Sequence, residues 1–185
     1  MRVLIIGAGA SGMMAALTAA RAGHEALLFE RQARVGRKLA ATGNGRCNIT
    51  NTAASVVHYH GEAPDFAAHA LEYMPVADTL ALFRGIGLLT REEYGGRVYP
   101  LSNSANSVTD TLRFALEAEG VQLISGDRVR ALTRTRTGFA VATESGASVT
   151  GDAAIVACGG MAGEKLGGGK DGYEGTVNDK GDIVG

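Results

Sequence analysis

Two cysteines, Cys47 and Cys158, are too few for a disulfide framework and lack the paired spacing of a metal site. Free thiols in a reducing cytosol, and hence a cytoplasmic location, are the expectation. No apolar run reaches the roughly 18 residues of a membrane-spanning helix, because glycine, serine and threonine punctuate each candidate stretch. With 18 basic and 19 acidic side chains the formal net charge is -1, so no global field draws the chain to nucleic acid or an anionic membrane. Any anion must be held locally. Aromatic residues make up 5% of the chain, which leaves Tyr94, Tyr99 and Tyr173 as unassigned candidates for stacking on a ring. No G-x-S-x-G elbow is present, and no serine, histidine and acid are spaced as in a hydrolase. The histidines are His24, His58, His60 and His69. The i, i+2 pair in "HYH" would set two imidazoles on one strand face, but no third ligand stands nearby, so no metal is expected. Internal repeats and heptads are absent.

What the chain has in excess is glycine, 27 of 185 residues, about twice the usual level of roughly 7%. That suggests sharp turns or backbone brought close to a ligand. The start, "MRVLIIGAGASGMMAALTAA", has the charge and apolar content of a secretory signal, but glycines at 7, 9 and 12 break it and favour a strand followed by a helix. Residues 2–6 are a buried parallel strand by composition, 11–23 a helix stopped by Gly23, and 25–30 a second buried strand. Together they make one βαβ unit. Residues 31–63 lack an apolar period and read as a long functional loop. Residues 65–86 read as two helices divided at Pro75, and "LLTREEYGGRVYPLS" as a hairpin turning at Gly95 and Gly96. A helix over 104–120, a strand "VQLIS", a β-meander over 128–150 and a last buried strand in "AAIVACGG" follow. From 161 onward a glycine-rich tail shows no core pattern.

The first chemical motif is "GAGASG", residues 7–12. Gly7 permits the tight turn off the first strand, Gly9 lets the backbone approach a pyrophosphate, and Gly12 allows close packing of helix on strand. Ala10 and Ser11 then open a helix whose free N–H groups and partial positive charge face the phosphates. Glycine spacing alone is weak evidence. Here a buried strand precedes it, a helix follows it, and Glu30 ends the second strand, where it can accept from a ribose diol. The pattern implies an ADP-containing dinucleotide. Glu30 disfavours the 2'-phosphate of NADP. The polar detour after it favours FAD over NAD, because the isoalloxazine end needs extra segments to bed it.

The string "VLIIGAGASGMMAALTAARAGHEALLFERQARVGRKLAATGNGRCNITN" resembles the N-terminal region of the aminoacetone oxidase family of FAD-binding enzymes, the group that includes the BaiN-like flavoproteins. "GRKLAATGNGRCNITN" is its specific part, and "GGRVYPLSNSANSVTDTL" and "AIVACGG" are similar to later stretches of the family. The resemblance extends to about residue 173, and the family's proteins are much longer. It implies an α/β fold: a doubly wound, Rossmann-like FAD-binding domain of glutathione-reductase type with a β-meander. That domain would occupy residues 1–160, and the tail 161–185 would open the family's inserted domain. The chain departs from the family in having "CGG" for "TGG", and the loop toward "GDGY" is represented here by "GGGKDGY", residues 167–173.

By that resemblance, the cofactor-binding candidates beyond the glycine turn and Glu30 are as follows. Arg31, Arg37, Lys38 and Thr42 would lie along the pyrophosphate and flavin, where cations form charge-assisted hydrogen bonds. Arg46 and Asn48 would sit against the ring, where positive charge stabilises reduced flavin; Arg46 serves equally well as a clamp on loop carbonyls. Gly45, with Asn44, suits a turn at positive φ. Cys47 reads as a packing or flavin-adjacent residue, since a dithiol cycle needs two thiols and this loop has one. Val129 would offer its backbone to the adenine, and Gly159 and Gly160 would close the site. Cys158 reads as a small core residue. The function implied is transfer of hydride or electrons between a reduced donor, NAD(P)H among the candidates, and a small organic substrate or oxygen. A truncated, non-catalytic nucleotide-binding module and an NAD-type Rossmann enzyme are the alternatives. The expected partner is a small molecule, with neither nucleic acid nor membrane.

Overall fold

The computed structural model describes residues 1–160 together with 176–177 and 183–184. In chain order its elements are β1 (Arg2–Ile6), α1 (Ala10–Arg21), β2 (Glu25–Glu30), α2 (Arg37–Ala41), β3 (Thr50–Asn51), α3 (Ala68–Tyr73), α4 (Val76–Gly85), β4 (Thr90–Glu93) and β5 (Arg97–Pro100). There follow α5 (Ala105–Ala118), β6 (Gln122–Ser125), β7 (Val129–Arg134), β8 (Phe139–Thr143), β9 (Ser148–Gly151), β10 (Ala153–Val156), β11 (Thr176–Val177) and β12 (Ile183–Val184). They fall into two compact units, Met1–Leu39 with Leu112–Gly185, and Ala40–Thr111.

The first unit is built on a parallel sheet of order β10-β1-β2-β6. The chain steps from β1 toward β2 and β6, then returns to the other side of β1 with β10. A switch of direction therefore falls between β1 and β10, which in open parallel sheets is where a ligand binds, beyond the carboxyl ends of the strands. Strand alternation divides the core. Leu4, Leu27 and Phe29 pack against Leu132 and Val141 of the meander. Val3, Ile5 and Leu28, equally buried, point to the opposite face, on which α1 lies with Met13, Ala16 and Leu17 buried. The α1 helix ends in a Schellman motif, with Gly23 at φ 79 and amides of Gly23 and His24 bonded to the Ala20 and Ala19 carbonyls. At the amino end of the sheet Arg2 grips both carboxylate oxygens of Glu25 at 2.9 Å.

The meander β7-β8-β9 is antiparallel, and its register shifts between Val129 and Ala131, a bulge. Two further strands extend this sheet, with β12 on β7 and β11 on β12, where the tail suggested no core pattern. The rest of the tail, including the expected start of an inserted domain, lies outside the described residues. "AAIV" is not the buried strand expected: among the described residues β10 is the edge of its sheet, and Ile155 and Val156 are 38% and 46% exposed. Cys158 is half-buried rather than a core residue, its thiol 3.6 Å from the Ile6 carbonyl.

The second unit contains α3 and α4, divided at Pro75 as the sequence indicated, and an antiparallel sheet of order β3-β5-β4 whose hairpin turns through Tyr94–Gly96. The loop reading of 31–63 is corrected in part. Arg37–Ala41 is one helical turn, too short to show a period, and Thr42–Gly45 is a tight turn with Gly43 and Asn44 in left-handed conformations. His58 closes a 3-10 turn, Val56–His58, so "HYH" is not a strand pair.

Candidate functional site

Of the three glycines of the turn, two are closed in by protein and one is not. A Cβ on Gly12 would stand 1.8 Å from the Gly7 carbonyl oxygen and 3.3 Å from the Ala157 Cβ. On Gly7, at φ 102, it would meet the Ala157 carbonyl oxygen at 2.5 Å. These two glycines let β1, α1 and the chain leaving β10 come together. A Cβ on Gly9 would meet nothing within 4 Å. Packing of the chain thus explains Gly7 and Gly12 and leaves Gly9 unexplained, unless its open side is kept for something else. Gly9 is also the N-cap of α1, where it makes no side-chain cap, and the first turn carries no acidic residue. Ala10 and Ser11 are exposed there. A helix start left uncapped and free of negative charge is suited to an anion.

Glu30 is the hub beside it. One carboxylate oxygen accepts from the buried amide of Ala8, the other from the amide of Gln32, both at 2.9 Å. Each oxygen retains a lone pair for a further donor. The Ala8 carbonyl takes the Gly36 amide at 2.9 Å, so the segment from Arg31 to Gly36 is folded back onto the glycine turn. Arg37 reaches the Gln32 side chain at 3.0 Å. Lys38 donates to the Gly160 carbonyl at 3.2 Å, and a Cβ on Gly159 would lie 3.6 Å from its ammonium. The turn, Glu30, Arg31, Arg37, Lys38, Gly159 and Gly160 are therefore gathered by one unit at the carboxyl ends of β1, β2 and β10.

The same unit carries Val129 at the start of β7. Its side chain packs against the meander core, and the bulge begins at its backbone. Two residues of the connection from β6 to β7 are tied to the end of β2 and the segment after it: the Gly126 amide donates to the Gln32 carbonyl at 3.0 Å and the Asp127 amide to the Glu30 carbonyl at 3.3 Å.

The remaining candidates belong to the second unit. Arg46 is not a free cation, and its partners are side chains rather than the loop carbonyls expected. Its guanidinium donates to the Asn103 side chain and, at 2.5 Å, to Glu93, and it lies over the Tyr99 ring, 3.9 Å from its centroid. Glu93 raises the Arg46 pKa, and Arg46, with Arg91 at 2.8 Å, holds the Glu93 carboxyl below its ordinary range. Among the described residues, those other than glycine at positive φ are Asn44, Cys47 and Asn103. Two flank Arg46 and the third is its hydrogen-bond partner, so the backbone strain of the described chain collects around this one side chain. Cys47 is buried, and burial pushes its thiol up, with a hydrogen bond to Thr42 acting the other way. A thiol held protonated is a poor nucleophile. Gly45 at φ 80 satisfies the expected turn, and Asn48 is exposed.

Sequence reasoning passed over Ala8, Gly36, Glu93, Asn103 and Asp127. Gly36, standing just before the basic pair, was the one visible signal, and the others act through backbone groups or partners distant in the chain.

The model of the HI0933-like protein Rossmann domain matches residues 1–184. A 3-dehydro-bile acid delta(4,6)-reductase of Clostridium scindens is 42% identical over 174 residues, 93% of this chain. A ribosomal RNA dihydrouridine synthase of Escherichia coli is 30% identical over 171 residues, 92% of this chain. The chain spans 42% of the length of each of these relatives. Among solved structures, THI4 of Thermovibrio ammonificans superposes with a TM-score of 0.55 at 16% identity, covering 85% of this chain and 57% of that one. The amino acid oxidase NikD does so with a TM-score of 0.53 at 16% identity, covering 86% and 51%. These two likenesses concern the fold.

Proposed function

The chain belongs to the HI0933-like protein family, matched over its Rossmann domain, and from that premise we propose that it is the FAD-holding part of a flavin-dependent oxidoreductase. One observation carries the reading: Gly9 faces open space at an uncapped helix start, between two glycines that the chain itself closes. A side chain there would fill the approach that a pyrophosphate needs. In this reading the amides of Ala10, Ser11 and Gly12 bind the pyrophosphate, Glu30 accepts from the ribose diol, and the backbone of Val129 meets the adenine. Lys38, fixed on Gly160, holds a positive charge at the same strand ends, and Arg31 and Arg37 add to it. Thr42, Gly45, Cys47 and Asn48 are the flavin-side candidates. Arg46 shares Glu93 with Arg91, so the trio keeps one net positive charge, and its partners fix the orientation of the guanidinium. FAD, when bound, supplies the hydride and electron chemistry.

For the whole protein we propose reduction of a small organic substrate with NAD(P)H as donor. One relative is named as a reductase of a bile acid, and the other as a synthase of dihydrouridine, a nucleoside two hydrogens richer than uridine, in ribosomal RNA. The small-molecule reading is favoured by the higher identity to the bile acid enzyme and by a net charge of -1, which offers no field toward phosphate backbones. The test is a titration of the purified chain with FAD, followed by flavin absorption and by loss of colour under anaerobic reductant. A chain that takes up NAD and not FAD, or neither, refutes the reading.

A further inference from the structure

Asp127 stands in the short connection between β6 and β7, and its carboxylate is half-exposed. It nonetheless accepts from the Ser145 amide at 3.0 Å and the Ser145 hydroxyl at 2.6 Å. Ser145, and after it Thr143, hold the Asp127 carboxyl below its ordinary range. Thr143 is a buried polar residue whose hydroxyl lies 3.1 Å from that of Ser145. Thr143 ends β8 and Ser145 lies in the β8–β9 turn, which already closes on itself through Gly146 to Thr143 at 3.1 Å and Thr143 to Ala147 at 3.0 Å. The turn is tied again beside Asp127, where the Glu144 amide donates to the Arg128 carbonyl at 2.8 Å. In the other direction the connection is bonded to Glu30, the last residue of β2, and to Gln32 just beyond it.

A surface hairpin turn closed by its own backbone has little need of a carboxylate from another connection, and an exposed aspartate is ordinarily left to water. What these bonds do together is fix the main chain of residues 128 and 129 relative to Glu30. We infer that Asp127 is a positioning residue for the adenosine half of the bound dinucleotide, an inference that rests on the FAD-holding reading. It locks the β8–β9 turn onto the β6–β7 connection, so that the backbone edge of Val129 and the carboxylate of Glu30 are held at one spacing. The residue type fits the task. Ser145 presents two donors, its amide and its hydroxyl, and a carboxylate, which only accepts, serves both. An amide at the same place keeps one acceptor and turns a donor toward a donor.

The test uses the 185-residue chain with ADP as probe, which carries adenine, ribose and pyrophosphate but no flavin, and inorganic pyrophosphate as control. Asp127→Ala should raise the ADP dissociation constant about tenfold and leave pyrophosphate binding unchanged. Asp127→Asn should fall between it and the parent, and Ser145→Ala should weaken ADP by about threefold. A lowered melting temperature with unchanged ADP affinity would mean a structural role only and overturn the inference. If Asp127→Ala does not fold, unchanged affinity in Asp127→Asn and Ser145→Ala overturns it equally. A parent chain that binds neither ADP nor FAD removes the underlying reading and this inference with it. A parent that binds, with variants that match it, removes this inference alone.

Discussion

Replacing Gly9 by alanine separates folding from binding more sharply than any other single change in the turn. Gly9 has φ -78 and ψ -172, an extended conformation open to alanine, and the new methyl meets no protein atom within 4 Å. Two small effects on the free protein oppose each other. Alanine is a poorer N-cap than glycine by roughly 0.5 kcal/mol, and a stiffer unfolded chain returns about 0.4–1 kcal/mol. The melting temperature should therefore stay within about 2 °C of the parent. The cofactor feels the methyl directly, since it occupies the approach to the amides of Ala10 and Ser11. Losing even one amide-to-phosphate bond, worth about 1.5–3 kcal/mol, lowers affinity by roughly ten- to a hundredfold. Gly12→Ala is the control. Its Cβ would stand 1.8 Å from a backbone oxygen, so the free protein itself should lose about 1–3 kcal/mol or more, a drop of several degrees. The assay is a pair of thermal melts without ligand and an FAD titration followed by fluorescence quenching. A Gly9→Ala protein that melts like Gly12→Ala, or that binds FAD as the parent does, refutes the reasoning.

Glu30→Ala should weaken FAD by tenfold or more and also lower the stability of the free protein by about 1–2 kcal/mol, because the buried Ala8 amide loses its acceptor; calorimetry with and without ligand reads both. Glu93 is held below the ordinary carboxylate value of 4.5 by Arg46. Its contribution to stability is thus full above that value and is lost as pH falls below it through the folded-state value. Melting temperatures measured from pH 6 down to pH 2.5 should accordingly converge for the parent and Glu93→Gln at the acid end, and a gap of constant size contradicts the assignment. Iodoacetamide labelling at neutral pH, read by mass spectrometry, should modify half-buried Cys158 ahead of Cys47, whose thiol is buried and pushed up.

The parts of the molecule legible in the sequence are those whose causes are local. "RVLII", "GAGASG" and "EALLFE" contain their own reasons to be strand, turn and strand, and the pairing of β1 with β2 follows from the crossover rule. The hairpin at Gly95 and Gly96 and the break at Pro75 were equally self-contained. What could not be read depended on distant partners. Arg46 finds Glu93 and Asn103 some fifty positions away, and nothing around "GRC" announces these partners. Cysteine has no preference for the left-handed region, so the φ of 58 at Cys47 has no local cue. The exposure of Val156 reflects its place on the sheet's edge, which an apolar strand does not reveal. Gly9 is the instructive residue. Its spacing matched that of Gly7 and Gly12 in the sequence, and only the packing distinguishes the glycine the fold does not need.

Amide hydrogen exchange across an FAD titration tests the central claim at the atoms it names. Saturating FAD should slow exchange at Ala10, Ser11 and Gly12 and through the segment from Glu30 to Lys38. Protection confined to other segments, with the 7–12 turn exchanging as freely as before, would contradict the account.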